Sequence, residues 1–252
     1  MVIDYALMSC DVNPLFIDFI PVVTKAWNKM GVKPVYGIVT TGDTNKTIDY
    51  GDRLEFHFKY IADPKIIFKS DDGRDHLYQA EVLRIWLWKH LYQKGYTGTA
   101  IFSDIDMMPL SKDYFQGTCA PYSDDHFVSY CTDAKERFGQ IASCYNVASL
   151  KLVSELIEQD NWFEFAWWVS DNCGPTHGAD QWVMEWLLKK AGDKGVSLTR
   201  GFSPLNGVAD RRLDRIGWDY NLGQIGNLVD AHLLRPYSQY KTEIDRIERL
   251  IP

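Results

Sequence analysis

Thr99-Ala100-Ile101-Phe102-Ser103-Asp104-Ile105-Asp106-Met107-Met108-Pro109-Leu110 is a compact apolar stretch that runs directly into two acids. Residues 99–103 read as a buried strand, and in open α/β sheets ligands bind outside the carboxyl ends of the strands. In an extended segment alternate side chains share a face, so Asp104 and Asp106 are expected to point one way and Ile105 the other. Two adjacent carboxylates repel, which raises one pKa unless a cation lies between them. A hard divalent ion such as Mg²⁺ or Mn²⁺ suits such a pair, with phosphate oxygens completing its shell. The plainer alternative is a polar turn, with one aspartate capping a helix from Ser111 onward.

Upstream, Val2 to Met8 is a run of strand length, and Asn13-Pro14 reads as an N-cap followed by proline at the first helical position. A helix interrupted by Pro21 is expected to end at Gly31. Residues 33–40 and 54–61 read as further strands, separated by a polar, turn-rich segment. Strand, helix and strand at this spacing make the βαβ unit of a largely parallel sheet. A long helix follows, capped by Asp75, with Leu77, Ala80, Leu83, Leu87 and Leu91 at helical spacing until Gly95.

Downstream of Pro109 the texture changes. Short strand-like pieces are expected at 127–131 and 141–146, then a helix over 149–159, an aromatic stretch over 162–168, and a helix over 179–191. A strand near Val196, an irregular region over 201–226, an apolar pair at Leu228-Val229 and an amphipathic helix over 240–250 complete the chain. The division expected is one domain over 1–252, in two halves that meet near residue 110.

Composition narrows the class. With 34 acidic and 27 basic residues the formal charge is −7, so no global field draws the chain onto nucleic acid or anionic lipid. The apolar runs are far shorter than the roughly 20 residues of a membrane span, and residues 1–5 lack the character of a secretory signal. Five cysteines without a C-x-x-C pair read as the scattered thiols of a reducing compartment. A cytoplasmic protein is expected.

Taken in order and spacing, the motifs resemble the nucleotide-sugar-dependent glycosyltransferases of the GT-A type. In that superfamily a D-x-D motif ends a central strand, as at Asp104 to Asp106, and Pro-Leu often follows it. The helix from Tyr78 to Arg84 is similar to the one whose polar residues face the donor. Tyr145-Asn-Val-Ala-Ser149 resembles the strand-to-helix turn of the acceptor half, and Gly178-Ala-Asp-Gln181 the helix start that supplies an acceptor-side acid. Asp230-Ala-His-Leu-Leu-Arg-Pro236 resembles the late histidine segment that returns to the metal. The resemblance spans about residues 2–237. It implies an α/β fold in one domain: a Rossmann-like mixed central sheet flanked by helices, with a smaller acceptor-side sheet. Residues 1–110 would form the donor half, and 111–252 the acceptor half with its C-terminal helix.

The same resemblance implies sugar transfer from a nucleoside-diphosphate sugar, UDP being the commoner base, to a hydroxyl of a saccharide acceptor. Asp104, Asp106 and His232 would hold Mn²⁺ or Mg²⁺, the imidazole favouring manganese. Arg235 would reach the diphosphate in bidentate fashion. Arg84 and Asp11 would touch the donor, and Asp180 would deprotonate or orient a hydroxyl. His177 and Trp182 would contact the acceptor, the latter by ring stacking.

Each residue also has a structural reading. Asp180 is a helix N-terminal acid, Asp11 a cap, Arg84 a helical charge able to pair with Glu81 or Asp75, and Trp182 with Trp186 a buried helix face. Arg211, Arg212 and Arg215 read as a solvated basic face. Two other functions stay open: a non-catalytic saccharide- or nucleotide-binding domain of a longer polypeptide, and a nucleotidyltransferase. The latter would need a glycine-rich basic loop, which Ser9-Cys-Asp-Val-Asn-Pro14 does not provide.

Overall fold

The computed structural model describes residues 1–41, 57, 59, 66–70, 76–130, 132, 135, 139–198, 212–215, 218 and 228–251. Its elements in chain order are β1 (Ile3–Asp11), α1 (Pro14–Ile17), α2 (Ile20–Lys29), β2 (Lys33–Thr41), β3 (Ile66–Ser70), α3 (His76–Gln93), β4 (Thr99–Phe102), β5 (Met107–Pro109) and α4 (Lys112–Cys119). Then come β6 (Phe127–Ser129), β7 (Asn146–Ser149), α5 (Leu150–Leu156), α6 (Trp162–Cys173), α7 (Ala179–Lys190), β8 (Gly195–Ser197), β9 (Arg212–Leu213), β10 (Asp230–His232) and α8 (Tyr237–Glu248).

A seven-stranded sheet has the order β3-β2-β1-β4-β7-β6-β8. β1 lies at its centre, parallel to both β2 and β4, while β7 runs antiparallel to β4. The sheet is therefore mixed and draws strands from both sides of residue 110. A second sheet of three short strands, β5-β10-β9, continues from β4 through the aspartate pair. Both elements of the expected architecture, a mixed central sheet flanked by helices and a smaller sheet, are present.

Both faces of the large sheet are covered, which explains its near-continuous apolar strands. Ala6 and Met8 belong to one core with α2, α4 and α8, whereas Leu7, Ala100 and Phe102 belong to the other with α3, α5, α6 and α7. α3 is buried on every side over residues 78–89 rather than on one face only, and the polar residues it carries there, Gln79, Glu81, Arg84 and Lys89, are buried with it. It approaches β2 at Gly37, where a Cβ would stand 2.9 Å from Leu83 Cδ2. A larger residue there would push the helix, and with it Arg84, off the sheet.

Several expected elements shift. Asn13 does cap a helix, accepting from Leu15 N at 3.0 Å, but the chain forms two helices, α1 and α2, rather than one interrupted at Pro21. The strand expected over 54–61 lies almost wholly outside the described residues, and His57, which is described, is helical. The edge strand is β3, whose short Ile66-Ile67-Phe68 core gave little alternation to read. The piece expected over 141–146 forms β7 only from Asn146 onward. The aromatic stretch over 162–168 opens a helix, α6, capped by Asn161 accepting from Glu164 N at 3.0 Å. Asp75 and most of 201–226 lie outside the described residues. No described helix is long and apolar enough to cross a membrane. The four described cysteines, at positions 10, 119, 144 and 173, are free thiols.

Candidate active site

A cavity of about 420 Å³ opens where β1 and β4 end. Ser9 to Asp11 form one wall, the Asp104–Asp106 turn the floor, α3 and the start of α7 a second wall, and His232 with Arg215 and Arg235 the third. This is the carboxyl edge of the parallel strands, where ligands bind in open α/β sheets.

The two aspartates reach the cavity by a turn, not by strand alternation. β4 stops at Phe102, and residues 105–106 form a turn in which Met107 N donates to Asp104 O at 3.2 Å. Extended geometry was the wrong premise, although both carboxylates line the same cavity. The turn gives them different surroundings. Asp104 is partly exposed and bonded to Arg84, while Asp106 is buried beneath Arg215, Arg235 and His232.

Asp106 is heavily engaged. Its Oδ2 accepts from Arg235 Nε at 2.8 Å, from Arg235 Nη2, and from Arg215 Nη2 at 2.6 Å. His232 Nε2 lies 3.5 Å from the same oxygen. Burial pushes the Asp106 carboxyl up, but His232, Arg235 and Arg215 beside it outweigh burial and hold it below its ordinary value. Arg235 is fixed further by stacking over Phe16, 4.5 Å from the ring centroid. Trp218 Nε1 donates to His232 O at 3.0 Å, and Asp214 Oδ1 stands 3.9 Å from His232 Nδ1.

A second knot forms around Arg84. A guanidinium within the buried stretch of α3 must find anionic partners. It donates through Nη1 to Asp104 and through Nη2 to Asp180, and its plane lies 4.4 Å over Phe102. Burial opposes the charge on Arg84, yet Asp104 and Asp180 raise its pKa above the usual value. Asp180 sits in the first turn of α7, buried, with Oδ1 accepting from Gln181 N at 2.8 Å.

Glu81, one helical turn before Arg84, secures the entry to α7. It accepts from Gly178 N at 3.1 Å and bonds the exposed His177 ring. Gly178 has φ of 90°, a left-handed conformation that glycine adopts without cost, and this turns the chain so that its N–H meets the carboxylate. Burial, and next the nearby Asp180, raise the Glu81 pKa despite these partners. A raised carboxyl pKa means the folded protein binds the proton more tightly, so stability falls as pH rises from about 4.5 through the folded value. Glu81→Gln removes this dependence. Its melting temperature relative to wild type is expected to rise as pH increases above about 4.5 in paired thermal scans.

The expected site residues are thus largely brought together. Asp11, Arg84, Asp104, Asp106, His177, Asp180, His232 and Arg235 all line the cavity. Asp11 also accepts from Asn13 N at 3.1 Å, an Asx turn that leads into α1, whose cap is Asn13. Trp182 is not among the lining residues. Its ring packs 5.5 Å from Trp168, and Trp186 lies 4.6 Å from the same ring, so this face of α7 is spent on α6. The basic face expected around 211–215 is also corrected. Arg212 is buried and bidentate to Asp230 at 2.9–3.2 Å, and Arg215 points into the cavity.

Sequence reading missed Glu81, Arg215, Ser143 and Gln181 as lining residues. For Glu81 a signal existed, since an acid and an arginine one turn apart in an otherwise apolar helix imply a polar face. For Arg215 none did, because its partners lie 109 and 17 positions away.

No protein-family model matches the chain, and no curated protein matches it. Solved structures do match along nearly the whole length. A glycosyltransferase involved in glycosylation of the major capsid of PBCV-1 aligns over 98% of this chain and 100% of its own, with 9% identity and a TM-score of 0.50. An active-site mutant of LgtC aligns over 98% and 94%, with 11% identity and a TM-score of 0.50. The chain has the GT-A-type fold that these glycosyltransferases share.

Proposed function

We propose that this protein is a glycosyltransferase that moves a sugar from a nucleoside-diphosphate sugar, a UDP-sugar by preference, to a hydroxyl of a saccharide acceptor. One observation carries the reading. At the carboxyl edge of a GT-A-type sheet, a single cavity gathers the Asp104 and Asp106 carboxylates, the His177 and His232 imidazoles and three guanidiniums. Such a mixture suits a diphosphate bridged to a metal far better than it suits a neutral ligand.

The residues fit a divalent ion by chemistry. Asp104, Asp106 and His232 supply oxygen and nitrogen donors that suit Mn²⁺, and Mg²⁺ less well. Among the described residues no group of three or more such side chains is drawn together tightly enough to hold a metal. The reason lies in the arginines, because Arg84 holds Asp104 and Arg215 lies between Asp106 and His232. When bound, the ion would neutralise charge growing on the departing diphosphate.

The chain's own residues do the rest. Arg235, anchored on Phe16 and Asp106, presents a guanidinium beside the diphosphate position, where its fork matches phosphate oxygens. Arg84 fixes Asp104 and Asp180 at once, so the leaving-group side and the sugar side of the cavity are held by one side chain. Both Asp180 oxygens already accept hydrogen bonds. Each still has a lone pair to offer, and in this reading Asp180 uses it to orient a sugar hydroxyl. Asp11 takes the nucleoside side at the end of β1, and exposed His177 the acceptor side. Cytoplasmic nucleotide sugars would be the supply.

Titration calorimetry with UDP and GDP, with and without Mn²⁺, tests the proposal, followed by donor hydrolysis or transfer assays after chelation. Micromolar UDP binding that requires Mn²⁺, with turnover abolished by chelator, is expected. Full turnover after chelation would remove the metal from the mechanism, and no binding of either nucleotide would remove the donor class.

A further inference from the structure

We infer that Arg215 is a resident counter-ion at the metal position. Its guanidinium stands between Asp106 and His232 and leaves that gap when the cation and diphosphate arrive together. The inference rests on the metal-dependent reading above and extends it to the order in which ligands bind.

One nitrogen carries the argument. Arg215 Nη2 contacts Asp106 Oδ2 at 2.6 Å and also contacts His232 Nε2. It therefore stands between the two donors that a shared cation would have to join. Asp106 Oδ2 accepts from three N–H groups, two from Arg235 and one from Arg215, more than the two lone pairs of a carboxylate oxygen accommodate well. One of the two arginines is surplus, and the structure indicates which. Arg235 is pinned by two nitrogens on the carboxylate and by Phe16 beneath its plane. Arg215 Nε is buried without a hydrogen-bond partner, and nothing comparable stacks on its plane among the described contacts. Leaving therefore costs Arg215 less than it costs Arg235.

The chemistry of the exchange follows. A guanidinium and a divalent ion cannot both occupy the same gap, so each weakens the other's hold on Asp106. A diphosphate resolves the competition because it binds both, taking the ion on its oxygens and the guanidinium in bidentate fashion. Metal and nucleotide thereby become positively coupled through Arg215, in addition to their direct contact. Coupling of this kind is reciprocal, so each ligand tightens the other by the same factor.

Binding of Mn²⁺ alone, followed by electron paramagnetic resonance of the free ion, provides the test in wild type, Arg215→Met and Arg235→Met. Without nucleotide, Arg215→Met is expected to bind Mn²⁺ about tenfold more tightly than wild type, within the usual range of site coupling. Arg235→Met is expected to gain no more than about threefold from the loss of one positive charge. With UDP present, the Mn²⁺–UDP coupling factor should be smaller in Arg215→Met than in wild type. Mn²⁺ affinity unchanged or weakened in Arg215→Met overturns the inference, as does an equal gain in both variants. Such results leave the metal-dependent reading standing. Absence of Mn²⁺ binding in all three proteins, with UDP present, overturns that reading and the inference with it. Circular dichroism of the variants verifies that each is folded, and Arg215, which is partly exposed, is not needed for the core.

Discussion

Arg84→Met is expected to lower the melting temperature by about 6–12 °C and to abolish donor binding. The side chain fits the volume, so the loss is one of charge. Arg84 is 6% exposed, and its two partners are Asp180, at 2% exposure, and the more open Asp104. Removing one partner from a buried ion pair typically costs about 3–5 kcal/mol, because the remaining charge is stranded. Asp104 is reached by solvent, which screens its share, so about 3 kcal/mol is the expected loss out of a total of roughly 5–15.

One control separates the stranded charge from lost packing over Phe102. Arg84→Met combined with Asp180→Asn removes the charge and its partner together, and should recover a large part of the lost stability. If the double variant melts as low as the single one, the pair is not what holds α3 to α7.

The contrast between what could and could not be read in advance follows from distance along the chain. β4 and its aspartates were legible because an apolar run stopping at two acids is a local event. α3 was legible for the same reason, as its leucines recur at helical spacing and Gly95 ends it with φ of 83°. The small sheet was expected only through the family resemblance and had no local signal, because β5, β9 and β10 have only two or three residues each and their pairing is set by tertiary contact. Partners of the site's charges were equally hidden. Arg84 meets Asp180 across 96 positions, and Arg235 meets Asp106 across 129. Sequence could nominate these residues singly, but only the folded chain pairs them. Trp182 is a different case, since its ring packs against Trp168 of α6 and it does not line the cavity.

Asp106→Asn is the second large effect, and it should fall on turnover rather than on folding. The carboxylate is 2% exposed, so by burial alone it resembles Asp180. Its partners differ. Arg215 and Arg235 are 27% and 31% exposed, and each has solvent to turn to when the carboxylate is gone. The asparagine also keeps an acceptor oxygen for one of them. A stability loss of about 1 kcal/mol is therefore expected, far below that of Arg84→Met. The sign with pH is fixed by the depressed Asp106 pKa. Its contribution is present above the unfolded value of 3.8 and vanishes as pH falls through the folded one, so wild type and variant should converge in acid. Catalysis has no such escape. In the proposed mechanism Asp106 is the one group shared by the cation, His232 and the diphosphate-facing arginines. Losing a single preorganised electrostatic partner of a developing charge commonly reduces kcat by about 10²–10³-fold, and that range is expected here for sugar transfer at saturating donor. Added Mn²⁺ at high concentration should not restore the rate, because the missing element is a carboxylate in a fixed position rather than affinity alone. Near-normal kcat in a folded Asp106→Asn protein would place the chemistry elsewhere, whatever the fold suggests.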